Sequence, residues 1–324
     1  MKRLALLLIA VLWLILLGTI GYYQHLKSEE RVPEFVKRPY FESSSCRQCH
    51  QEIYDEWKAS PHAKALSSTF PRLMDPTDKQ AACLPCHTPQ PVLETGLDQP
   101  PLTRDQRREE GVSCTTCHQT ADGMAAAHTG TRGSCNPIYD ARISQPKMCE
   151  SCHNAHGTVD QWRASRYAQD GTDCLDCHMP KKDGHRQHFM PGAHDHDSLR
   201  SATRLAAEQS GAELVVKVGN QGAGHNLPSG RRSRSMVLVV QFATPQGDWV
   251  ADQRYLFRNP FKGEPGENTQ LACGETREFR YKIPATAVKA RAQLLYQFKP
   301  SQPDASGVVL QKAELELHDS GLLR

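Results

Sequence analysis

Five times in 324 residues the chain spells Cys-x-x-Cys-His. The copies run Cys46–His50, Cys83–His87, Cys114–His118, Cys149–His153 and Cys174–His178. This is the attachment signature of c-type haem, and the chemistry needs the spacing. Two thiols (Cys46 and Cys49, Cys83 and Cys86, Cys114 and Cys117, Cys149 and Cys152, Cys174 and Cys177) add across the vinyl groups of one porphyrin. The next residue (His50, His87, His118, His153 or His178) then reaches the iron as proximal ligand. Composition alone predicts roughly a few hundredths of one such motif per chain, so five are not chance. Zinc sites built on Cys-x-x-Cys do not require a His directly after the second Cys each time. The sequence therefore predicts five covalent haem c groups.

Five macrocycles change what the polypeptide must supply. Only 38% of the residues are hydrophobic and 7% aromatic, thin for an ordinary core. Five large apolar discs make up the difference. The net charge of +3 is too small to argue for nucleic acid. Thioether attachment takes place outside the cytoplasm in bacteria, so an export signal is expected. Lys2-Arg3 followed by an apolar run from Leu4 to Ile20, then Tyr22 and Tyr23, reads as an uncleaved N-terminal membrane anchor, with a cleaved signal peptide as the alternative. The expected organisation is α+β: anchor and tether over 1–30, a mostly helical or irregular haem-packed domain over 31–198, and an antiparallel β-sandwich over 199–324. The expected location is the periplasmic side of the inner membrane, or the cell surface or exterior if the segment is cleaved.

Each iron that binds two imidazoles needs a distal His as well as the proximal one. His62 follows the helix break at Ser60-Pro61 and is a distal candidate. His128, in a run of small residues, is another. His156 lies three residues after His153, too close to bend back over the same haem but able to reach a neighbour. Of the cluster His185, His188, His194 and His196, the second and third are the expected ligands and the other two are read as exposed. Met179 points away from its adjacent His178, and His25 is read as solvated. An internal echo joins Glu56-Trp57-Lys58-Ala59-Ser60-Pro61-His62-Ala63 to Gln161-Trp162-Arg163-Ala164-Ser165-Arg166-Tyr167-Ala168, each downstream of a haem motif. Tyr167 stands where the first copy has His62; it either ligates iron or merely packs. Cys135 and Cys273, the two cysteines outside the motifs, are a disulfide or two separate thiols.

Past Leu199 the pattern becomes β-rich. Runs at 213–218, 235–242, 249–257, 276–283, 292–298 and 313–317 are separated by Gly- and Pro-containing turns, as in a sandwich. The loop Gly222-Ala223-Gly224-His225-Asn226-Leu227-Pro228-Ser229-Gly230 lets backbone approach a flat group closely. His225 on it is a candidate haem ligand that would lock the two parts together; a plain hairpin loop is the alternative.

The motif followed by Trp57-x-x-Ser60-x-His62-Ala63 resembles the multihaem cytochromes c related to the tetrahaem cytochrome of ammonia-oxidising bacteria. His188-Phe189-Met190-Pro191-Gly192-Ala193-His194 and the 222–230 loop look like a broader set of periplasmic or surface multihaem cytochromes with a C-terminal β domain. The resemblance implies electron transfer along stacked, mostly bis-His haems, with His62 among the axial ligands. The expected role is an electron carrier, with no catalytic residue assigned. Its partners would be other redox proteins (a quinol-oxidising membrane complex or periplasmic cytochromes), the membrane through the N-terminal helix, and further copies in an oligomer. An oxidoreductase acting on a small nitrogen or sulfur species at one open haem, or a subunit of an extended cytochrome assembly, is the alternative.

Overall fold

The computed structural model describes residues 12–22, 41–69, 81–128, 135, 137–299 and 302–318. Residues 12–22 are helical. Among the described residues no helix is long and apolar enough to cross a membrane. Residues 4–11 of the expected anchor, the tether and His25 lie outside the described residues.

Residues Glu42–Arg324 form one compact unit, and its class is α+β. The haem-motif region is built from short helices, four to nine residues long, because no long element is needed to bury its apolar surface. The motifs themselves set many of these helices. Leu84–His87, Cys114–His118, Lys147–His153 and Cys174–His178 are helical. In a helix, residues three and four apart share a face, so both cysteines and the His of one motif project the same way. The first motif differs: Cys46 ends a helical turn, Ser43–Cys46, and His50 caps the next helix, Gln51–Ala59.

Two motif helices begin on capping boxes. Ser113 pairs reciprocally with Thr116, and Asp173 with Asp176, satisfying first-turn N–H groups. Upstream of the first box, Arg104 is only 1% exposed. Its guanidinium donates to the carbonyls of Pro89, Gln106, Arg107 and Gly111 at 2.9 Å and to the Ser113 and Thr116 hydroxyls. One buried cation thus gathers the loop that delivers the third motif.

The C-terminal part is an antiparallel sandwich of seven strands: β1 Thr203–Ser210, β2 Glu213–Asn220, β3 Ser235–Ala243, β4 Trp249–Phe257, β5 Thr276–Lys282, β6 Lys289–Gln297 and β7 Val308–Glu316. One sheet runs β1-β2-β5, the other β7-β6-β3-β4. The inner faces meet through Leu214, Val216 and Val218 on one side and Met236, Leu238, Val240, Phe242, Leu294 and Tyr296 on the other. Six of these strands follow the sequence expectation; β1 was not expected. It is an edge strand whose sequence, Thr-Arg-Leu-Ala-Ala-Glu-Gln-Ser, is poor in β-branched residues. The helix His196–Ala202 leads into it, capped by Asp195.

Candidate haem-binding site

Side chains from both parts of the compact unit converge on the motifs. Three motif imidazoles face a second imidazole. His118 and His188 stack with ring centroids 6.3 Å apart at 29°. His178 and His225 are 6.3 Å apart at 9°. His153 and His62 are 6.0 Å apart at 46°. Two imidazoles on opposite sides of one metal ion, each with a bond of about 2 Å and a ring radius of about 1.1 Å, hold their centroids about 6.3 Å apart. A van der Waals stack of rings would be closer. These pairs have the spacing of shared coordination, and the residues present fit a haem.

The ring nitrogens agree. Nδ1 of His87, His118, His178, His188 and His225 each lies within hydrogen-bonding distance of a backbone carbonyl: Ala65, Ala125, Pro191, Arg186 and Asn226 respectively. Donation from Nδ1–H leaves the Nε2 lone pair for a metal and fixes the ring plane. Burial supplies the second requirement, a neutral imidazole. It pushes His62 down to about 3, with the charges of His153, His178, His188 and His87 adding to the effect. It lowers His153 and His188 to about 4 and lowers His118 and His225.

The motifs are also neighbours of one another. The Cys46 thiol lies beside Cys114, Cys86 beside Cys152, and Cys149 beside Cys174, close enough for each to shift the other. Each contact raises one thiol and lowers the other: Cys114 and Cys86 fall to about 7 while Cys46 and Cys152 rise. Cys117 feels no cross-motif bond and is raised to about 11, first by burial. Its charge reaches Cys149 and Cys152. The first motif therefore touches the third, the third neighbours the fourth, and the fourth touches both the second and the fifth.

Each distal imidazole is held by its own segment. His62 is set by its backbone: its carbonyl accepts the Val112 N–H at 3.0 Å. Gly111, at φ +60°, has no room for a Cβ, which would stand 2.5 Å from that same carbonyl oxygen. His188 lies on a segment whose N–H donates to the buried Glu56 carboxylate at 2.7 Å. His225 is fixed from within the sandwich, where the fully buried Asn220 donates to its carbonyl at 2.8 Å.

The remaining expected residues fall elsewhere. His50 is exposed, close enough to His118 for their charges to interact. His156 is exposed and interacts electrostatically with His87 and with Arg231, Arg232 and Arg234. His128 is exposed. His194 stacks on Phe298, centroids 5.0 Å apart. Tyr167 donates its hydroxyl to the Gln221 carbonyl at 3.0 Å, and its ring packs beside Gly224. Cys135 and Cys273 are free thiols; the first neighbours Cys46 and the second Arg166. Sequence reasoning missed Arg104, Glu56 and Asn220. All three look like ordinary polar surface until burial is known.

Residues 45–119, which hold three of the five motifs and His62, match the family described as cytochrome c554 and c-prime. The fold is similar to that of a penta-haem cytochrome c552 from Thermochromatium tepidum, at 21% identity and a TM-score of 0.65, over 86% of this chain and 99% of that one. A hypothetical protein from Pyrococcus horikoshii OT3 (15% identity, TM-score 0.22) and a superoxide reductase (14%, 0.21) each match 36% of this chain, and cover 86% and 87% of their own lengths. No curated protein matches.

Proposed function

We propose that this multihaem c-type cytochrome carries five covalent haem c groups and passes electrons along them between redox partners outside the cytoplasm. When bound, haem supplies one-electron chemistry whose potential follows axial ligand, hydrogen bonding and burial. The polypeptide supplies everything else. Its motif thiols would hold each group, and its paired imidazoles, His118 with His188, His178 with His225 and His153 with His62, would supply nitrogen ligands to the iron. Carbonyl partners on Nδ1 orient four of these six rings, those of His118, His178, His188 and His225.

One observation carries this reading: the five attachment motifs form one connected group, with matched imidazoles at coordination spacing in three of them. The number five comes from the motifs, and the similar cytochrome c552 is itself a penta-haem protein. Residues 1–30 serve in this proposal as anchor and tether, 31–198 as the haem-bearing domain and 199–324 as the sandwich. That arrangement would keep the haems on the periplasmic side, within reach of a membrane quinol oxidase or a soluble cytochrome.

The test is a pyridine haemochrome assay on the purified protein together with electron paramagnetic resonance of its oxidised form. Five haems per chain, with low-spin signals dominating, is the expected result. A dominant high-spin signal joined to turnover of nitrite or hydroxylamine would replace the carrier with an enzyme. Fewer than five haems would break the group.

A further inference from the structure

The echo in the sequence is a repeat in space, and its geometry assigns a role to the residue before each repeat Trp. The indole N–H of Trp57 donates to the carbonyl of Val112 at 2.8 Å; that of Trp162 donates to Thr172 at 3.0 Å. Val112 and Thr172 each stand two residues before the first Cys of a motif, the third and the fifth. The chain returns in the same way in both copies, from Val112 N–H to the His62 carbonyl at 3.0 Å and from Thr172 N–H to the Tyr167 carbonyl at 2.9 Å. Gly111 and Gly171 precede them, both at positive φ. Each Trp therefore grips the proximal side of one haem motif.

The preceding residue grips the distal side of the same one. The Glu56 carboxylate accepts the N–H of His188, whose ring faces His118 of the third motif. The Gln161 amide oxygen accepts the N–H of Asn226 at 3.1 Å, and the adjacent His225 faces His178 of the fifth. Adjacent helix residues thus hold the two sides of one site, and this happens twice. The copies differ in charge. Glu56 is 5% exposed and its other oxygen lies 3.4 Å from His185 Nε2, with Glu52 in the same patch. Gln161 is neutral and half-buried.

We propose that Glu56 and Gln161 are equivalent positioning residues for the distal imidazoles, and that the carboxylate in the first copy holds the third-motif haem at a lower potential than its amide counterpart holds the fifth. An adjacent anion stabilises the more positive oxidised state, and burial keeps solvent from screening it. The inference rests on the haem reading above.

Glu56→Gln separates position from charge, because the amide oxygen still accepts the His188 N–H. Spectroelectrochemical titration of the holoprotein is expected to show one of five midpoints moved upward by about tenfold in the reduction equilibrium, which for one electron is about 59 mV, with its low-spin signal intact. Gln161→Glu should move a different midpoint downward. Glu56→Ala removes the tether as well, so the low-spin signal of that haem should broaden or turn high-spin, and Glu56→Gln should not share this change. Five haems by pyridine haemochrome, with all midpoints unmoved in both charge variants, would overturn the proposal while leaving the carrier reading intact. Fewer than five haems in the unsubstituted protein would instead remove the premise.

Discussion

At the scale of single residues, backbone geometry decides which imidazoles are placed. Gly111 shows this most sharply. A Cβ there would meet the His62 carbonyl oxygen at 2.5 Å and the Ala65 nitrogen at 3.0 Å, both backbone atoms that cannot swing away. Gly111→Ala is expected to displace His62 and convert one haem signal from low-spin to high-spin, read by electron paramagnetic resonance. Gly171 makes the control: φ is +76°, yet nothing stands within 4 Å of its Cβ position. Gly171→Ala should cost about 1 kcal/mol of strain, measured by thermal unfolding, and leave the haem spectrum unchanged. Tyr167 offers a second comparison. Its hydroxyl meets the Gln221 carbonyl, so Tyr167→Phe should lower stability by about 1 kcal/mol without altering any spin state. A new high-spin haem in that variant would make Tyr167 a ligand again. The motif cysteines and His residues were legible because covalent chemistry imposes their spacing. His62, His188 and His225 could be singled out because iron wants a second imidazole, and each faces a motif imidazole in the structure. Arg104 was not: a lone Arg in a Pro-rich, charged stretch gives no sign that six acceptors will close around it.

At the scale of elements, short helices do the work that a larger hydrophobic core does elsewhere. Gln51–Ala59 is nine residues long and buries only Glu56 and Trp57, yet it reaches two other segments through those two side chains. Trp57→Phe keeps an aromatic ring of smaller size and leaves the Val112 carbonyl without its donor. About 1 kcal/mol of stability should be lost, seen as an earlier thermal transition. The helix His196–Ala202 joins the haem region to the sandwich and depends on Asp195, whose carboxylate accepts the Ser198 N–H at 2.7 Å. That bond holds the Asp195 pKa below the usual carboxylate range. Because the folded value is the lower one, the stabilisation is complete above about pH 4 and fades as pH falls through the folded pKa. Asp195→Ala should therefore cost about 1 kcal/mol at pH 7 and progressively less as the pH falls through the folded pKa, a trend that unfolding across acid pH would reveal. Six of the seven sandwich strands were legible from β-branched runs between turns. The first was not, because an edge strand pairs on one side only and its outward residues are free to be Arg, Ala and Glu. The sequence expectation for His225 rested on the glycines of its loop. What holds that loop is Asn220, from the end of β2 and fully buried, and burial is a tertiary fact that no local pattern encodes.

At the scale of the whole compact unit, the order of the motifs in space is not their order in the chain. The third motif lies between the first and the fourth, and the fourth adjoins both the second and the fifth. Chain order suggests a linear wire from first to last. The thiol neighbours instead describe a branched order of motifs, with Cys149 and Cys152 at the junction. His62 reinforces the point, since the charges of His153, His178, His188 and His87 all reach it, so imidazoles of three motifs and the distal His188 lie around one ring. The two topologies predict different outcomes when a single attachment site is lost. In a linear wire, removing the second haem separates the first from the third. In the branched arrangement it removes only a side arm. Cys83→Ala with Cys86→Ala should therefore leave four haems that still equilibrate with one another on the millisecond scale after flash reduction. Cys149→Ala with Cys152→Ala should leave four haems divided into groups that exchange electrons at least tenfold more slowly. Pyridine haemochrome counts establish that each variant has lost one haem and no more. If the second-motif variant is the slower of the two, the junction lies elsewhere and the contacts among the thiols do not trace the electron path.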